Sequence, residues 1–153
     1  MNKNLNPAAL VGALALVAAL GGCTAMDKMG DKMSSSMGGG EKVTLSGANE
    51  VPAVQTSASG SGTVTVNPDK TVKVDIKVSG MQPTAAHIHE GAAGANGPVL
   101  VPLQKKGADE FVSADGAKLT DAQYEAYKAG RTYVNVHSDA HKGGEIRAQL
   151  KGR

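Results

Sequence analysis

Four histidines, His87, His89, His137 and His141, are the residues of this 153-residue chain best suited to hold a metal ion. His87 and His89 stand two apart in Thr84-Ala85-Ala86-His87-Ile88-His89-Glu90-Gly91. Along a β-strand, residues two apart share a face at about 6.5–7 Å, so both imidazoles can converge on one ion while Ile88 points the other way. His137 ends the run Tyr133-Val134-Asn135-Val136-His137 and offers a third imidazole, with Asn135 or Glu145 as the amide or carboxylate that orients it. Three imidazoles suit Cu(II) or Zn(II), and His141, in the following loop, is the candidate for a fourth. With four histidines in all, one mononuclear site is the ceiling. The same residues admit a plainer reading, a hydrogen-bonded polar cluster that holds no ion.

Other chemistries have less to build on. Ser138 follows His137, but neighbours on a strand face opposite ways, so a Ser-His nucleophile is not expected. A dismutase-like reaction would need a redox metal with an open position, and the expectation is a protein that is not an enzyme. No glycine-rich loop opens a helix after a strand, which leaves a nucleotide-binding α/β fold without support. Sixteen basic against fourteen acidic residues and 3% aromatics give neither the charge nor the stacking surface that nucleic acid requires.

The elements that must position these histidines are mostly strands. Val43 and Leu45 alternate with polar residues, as do Val64 and Val66 before the turn Asn67-Pro68-Asp69-Lys70. Val72, Val74, Ile76 and Val78 then alternate with Lys73, Asp75 and Lys77, which completes the clearest hairpin in the chain. Val99 to Leu103 reads as a short strand in an edge or irregular position because of Pro98 and Pro102. Tyr133 to His137 and Glu145 to Leu150 form a last hairpin. Val134, Val136, Ile146, Ala148 and Leu150 share its core face, and Tyr133, Asn135, His137, Glu145, Arg147 and Gln149 share the other. Symmetric closure sets Asn135 opposite Arg147 and His137 opposite Glu145, and Arg147 also suits a structural ion pair. One helix, Asp121 to Ala129, has Thr120 as its cap and Gly130 as its stop. Short strands at regular spacing predict a mainly β fold, an antiparallel β-sandwich of immunoglobulin-like or superoxide-dismutase-like type with one short helix.

Before this domain the composition changes twice. Pro7 to Leu20 is almost wholly Ala, Leu and Val, short for a membrane span and suited to a signal-peptide core. Leu20-Gly21-Gly22-Cys23 resembles the bacterial lipobox, which implies cleavage after residue 22 and a diacylglycerol group on Cys23, the sole cysteine. Residues 23–40 then read as a flexible tether, and 41–153 as the folded domain. Met26, Met29, Met33 and Met37 recur in the tether; thioethers are soft ligands for Cu(I), but a low-complexity spacer with an accidental near-repeat is the favoured account. Thr24 after the cysteine, where Asp would favour inner-membrane retention, points to a cell-envelope protein anchored in the outer membrane.

Three motifs of the domain carry a family resemblance. Leu45-Ser46-Gly47-Ala48-Asn49-Glu50-Val51-Pro52, the His87–His89 run with Gly94, Asn96, Gly97 and Pro98, and Ala129 to Ser138 with Gly144-Glu145-Ile146-Arg147 resemble, in order, the opening, central and closing motifs of the CHRD (chordin-type) domain family. Ala53, Ser138 and Ala148 depart from the family's usual proline, threonine and glycine. The resemblance implies a β-sandwich found as repeats in animal chordin and as secreted or lipid-anchored proteins in bacteria, with no established reaction. The His-x-His strand is similar to that of copper-zinc superoxide dismutase, with too few histidines for two metals. Two functions are therefore expected as alternatives: a lipid-anchored protein holding copper or zinc through His87, His89 and His137, or a metal-free module binding another envelope protein.

Overall fold

The computed structural model describes residues 39–152. Cys23, the methionine tether and the apolar amino-terminal run lie outside the described residues.

Eight strands follow one another as β1 Glu41–Ser46, β2 Ser59–Val66, β3 Val72–Ser79, β4 Pro83–Glu90, β5 Val99–Lys105, β6 Glu110–Ser113, β7 Thr132–Ser138 and β8 Ile146–Leu150. A single α-helix among the described residues, α1 Asp121–Lys128, lies between β6 and β7. The strands pair antiparallel in the order β1-β2-β3-β6-β5-β4-β7-β8, and Ser46 meets Arg147 to join the last strand to the first. The sheet is a closed barrel, which corrects the sandwich expected from the sequence. Alternation reports that one face of each strand is buried, and a closed sheet buries its inner face just as two stacked sheets do. What separates the two architectures is pairing between distant strands. Here β6 bridges β3 to β5, so neither half of the sheet keeps the free edges that a sandwich would have.

Curvature tight enough to close eight strands depends on β2. Gly60 faces the interior, where a Cβ would come 3.1 Å from Ile146 and 3.3 Å from Val78. Opposite Ile76, a Cβ on Gly62 would lie 2.0 Å from the carbonyl oxygen of Asp75, so only glycine permits that approach of β2 to β3. The interior is filled by Leu45, Val64, Ile76, Val78, Ile88, Phe111, Val134, Val136 and Ile146, all buried. Thr120 caps α1 in a reciprocal capping box with Gln123, and Gly130 ends it at φ +68°. Leu119 and Tyr127 tie this segment to the core.

Polar residues on the outer face of β7 and β8 are buried as well. Tyr133 and Asn135 are each 2% exposed and Arg147 1%. The loops after β1 and β4 fold over them. Asn96 donates to the Val51 carbonyl to join the two loops, and Gln149 donates to the carbonyls of Gly91, Gly130 and Thr132. This second, polar layer holds the histidines.

Candidate metal centre

β4 and β7 lie side by side with His87 opposite Asn135, His89 opposite Tyr133 and Ala85 opposite His137. Strand alternation turns Ile88, Val134 and Val136 inward, so His87, His89 and His137 share the outer face. The sheet's diagonal brings His87 to His137, on strands otherwise 50 residues apart in sequence. Each of the three offers one nitrogen, and these nitrogens lie within 4.8 Å of one another. His89 is buried, while His87 and His137 are half-buried. His141 is not part of the group.

Backbone carbonyls orient two of the rings. The His89 Nδ1–H donates to the Gly97 carbonyl oxygen at 2.9 Å, and the His137 Nδ1–H donates to that of Lys142 at 2.9 Å. A carbonyl only accepts, so the proton of each ring sits on Nδ1 and the lone pair of the neutral ring sits on Nε2. The Nε2 of His137 takes a hydrogen bond from His87 Nδ1 at 3.0 Å. The Nε2 of His89 is buried and has no partner among the described residues. A buried acceptor without a partner costs free energy, which an ion at that lone pair would offset.

Electrostatics favour the form that ligates. Burial pushes His87 below the ordinary imidazole range, and the neighbouring His137 and His89 push it the same way. Burial also lowers His137, against the upward pull of its bond to Lys142. Neutral rings carry the lone pairs that a metal takes up.

The orienting bond of His137 goes to the Lys142 carbonyl and not to Asn135 or Glu145. Burial pushes the Glu145 carboxyl up, but the hydroxyls of Ser138 and Thr56 that donate to it, with His141 nearby, bring it below the usual carboxylate value. Asn135 keeps a buried Oδ1 without a hydrogen-bond partner. It lies beside Gly144, whose φ of +129° and lack of a side chain leave room for Glu50; a Cβ there would lie 2.4 Å from Glu50 Oε1. Burial raises the Glu50 carboxyl against the pull of Arg147. Carbonyls orient two of the histidines, a role with no signature in residue type. The glycine-rich turn after His89 was its one visible trace.

Arg147 is held mainly by neutral acceptors, with Glu50 within its electrostatic reach. Its guanidinium donates to Asn96 Oδ1 and to the carbonyls of Ala92 and Ala95, at 2.9 to 3.3 Å, and to Gln149 Oε1. Its Cζ lies 3.3 Å from the centre of the Tyr133 ring. On the other flank of Tyr133, His89 stacks nearly parallel, 5° between planes and 4.9 Å between centroids.

These features define a class: an eight-stranded antiparallel barrel with a covered polar face and a three-histidine cluster upon it. The family model of the CHRD domain matches residues 42–150, and the chain belongs to that family. No curated protein and no solved structure matches it. Ala148, where the family commonly has glycine, sits in β8 with ordinary strand geometry, since Lys70 is the one non-glycine residue at positive φ among those described.

Proposed function

We propose that this CHRD-domain protein is lipid-anchored outside the cytoplasm and holds one copper or zinc ion between His87 Nδ1, His89 Nε2 and His137 Nε2. The observation that carries the reading is the buried, unpartnered Nε2 of His89 in a cluster whose three histidines each offer a nitrogen within 4.8 Å of the others. At about 2.0–2.1 Å from a tetrahedral ion, ligand nitrogens stand about 3.3 Å apart. His87 and His137 already stand at 3.0 Å, and a limit of 4.8 Å means that no pair has to close by more than about 1.5 Å, within reach of imidazole rotation. Uptake replaces the proton between His87 and His137 by the ion. The proton moves to the other nitrogen of His87, and three imidazoles leave a fourth position for water or another ligand.

Cys23 in its lipobox-like setting supports the anchor. Among the described residues no helix is long and apolar enough to cross a membrane. The metal-free alternative, docking to an envelope protein, draws less support, because the exposed large hydrophobic residue of the described surface is Val99 alone.

Calorimetric titration of the chain with Zn(II), and with Cu(II) in a competing buffer, tests the ion. One equivalent is expected, with His89→Ala and His137→Ala each weakening it at least tenfold. Absence of saturable binding below micromolar concentration removes the reading. For the anchor, Cys23→Ser is expected to release the protein from the membrane fraction, and continued attachment would refute lipidation there.

A further inference from the structure

We infer that Arg147 is a positioning residue for the metal centre, holding the Gly91–Pro98 segment so that the Gly97 carbonyl fixes the proton of His89 on Nδ1. The inference rests on the proposed metal reading. Arg147 is 1% exposed, and its donors converge on one segment, reaching Ala92 O, Ala95 O and the Asn96 side chain. One residue further along is Gly97, whose carbonyl takes the His89 proton and whose N–H donates to the Tyr133 hydroxyl at 3.3 Å. β7 lies between β4 and β8, so Tyr133 has His89 on one flank and Arg147 on the other. Arg147 thus reaches His89 by two routes, through the loop and through the tyrosine ring.

Both routes need a guanidinium. Its planar fork can satisfy several carbonyl oxygens while stacking on a ring, which a lysine ammonium cannot do. Gly97 itself admits no side chain: a Cβ on it would lie 1.7 Å from the Glu90 carbonyl oxygen, so the turn carrying the acceptor is tightly set. Without the clamp, the Gly97 carbonyl loses its fixed place and His89 is free to put its proton on Nε2, which removes the lone pair from the cluster.

The experiment records the ring-nitrogen tautomers by ¹⁵N NMR in chelator-treated protein, and Zn(II) affinity by titration, for the native chain, Arg147→Lys and Asn96→Ala. In the native chain His89 and His137 are both expected to be protonated on Nδ1. In Arg147→Lys the His89 proton shifts toward Nε2 while His137, held by Lys142, stays as it is, and Zn(II) affinity falls about ten- to a hundred-fold. An unchanged His89 tautomer in a folded Arg147→Lys protein overturns the inference. If that variant does not fold, Asn96→Ala decides: it removes one link of the clamp from an exposed position, and a smaller shift in the same direction is required. A native chain that takes no zinc sinks the metal proposal, whereas a tautomer shift in the same samples still supports the positioning of His89.

Discussion

Two histidines of the cluster are specified by what holds their other nitrogen. Gly97 and Lys142 carbonyls fix two tautomers, and burial keeps His87 and His137 below their ordinary pKa. That depression has a stability consequence of definite sign. An unfolded histidine titrates near 6.5, so below that pH the unfolded chain binds protons that the folded chain refuses. The metal-free protein is expected to be most stable above about pH 6.5 and to lose stability as pH falls toward the folded values. Urea midpoints measured with a chelator between pH 8 and 5 check this, and His87→Gln should flatten the decline. A midpoint that rises on acidification would contradict it. His87 and His89 were legible as a pair from their spacing alone. Their meeting with His137 was legible only as a conjecture, because it depends on β4 lying next to β7, and the loop contacts of Arg147 were not legible because no sequence pattern announces that a loop will cover a polar strand face.

At the scale of elements, local chemistry and backbone approach decide what forms. The hairpin of β2 and β3 and the helix α1 were visible in the sequence because each rests on neighbouring residues: alternation around a turn in one case, the Thr120 cap and Gly130 stop in the other. Thr120→Ala breaks the capping box and is expected to cost about 1 kcal/mol, read as a lowered urea midpoint with an unchanged slope. β6 left almost no trace, since four residues with one inward Phe111 cannot display a period. The amino-terminal half of β2, Ser-Gly-Ser-Gly, reads as a linker by composition, yet its glycines are what bring β2 against its neighbours. Gly62→Ala sets a methyl against the Asp75 carbonyl and is expected to destabilise the protein by about 1–3 kcal/mol. A neutral result in the same denaturation experiment would show that β2 can move away from β3 at little cost.

For the whole molecule, the strand order places β4, β7 and β8 side by side and stacks His89, Tyr133 and Arg147 across them. This was beyond the reach of alternation, which is identical in a sandwich. Closure is uneven: β7 pairs along its length with both neighbours, whereas β1 joins β8 at Ser46 and Arg147 alone. Amide exchange should therefore be slowest in β7 and fastest along the β1 edge that faces β8, and slow exchange throughout that edge would contradict an uneven barrel. The most direct test of the metal centre is anomalous diffraction from crystals of the zinc-loaded protein. A single strong peak is expected at about 2.0–2.1 Å from His87 Nδ1, His89 Nε2 and His137 Nε2; full zinc occupancy elsewhere on the molecule, or no peak between these rings, would contradict it.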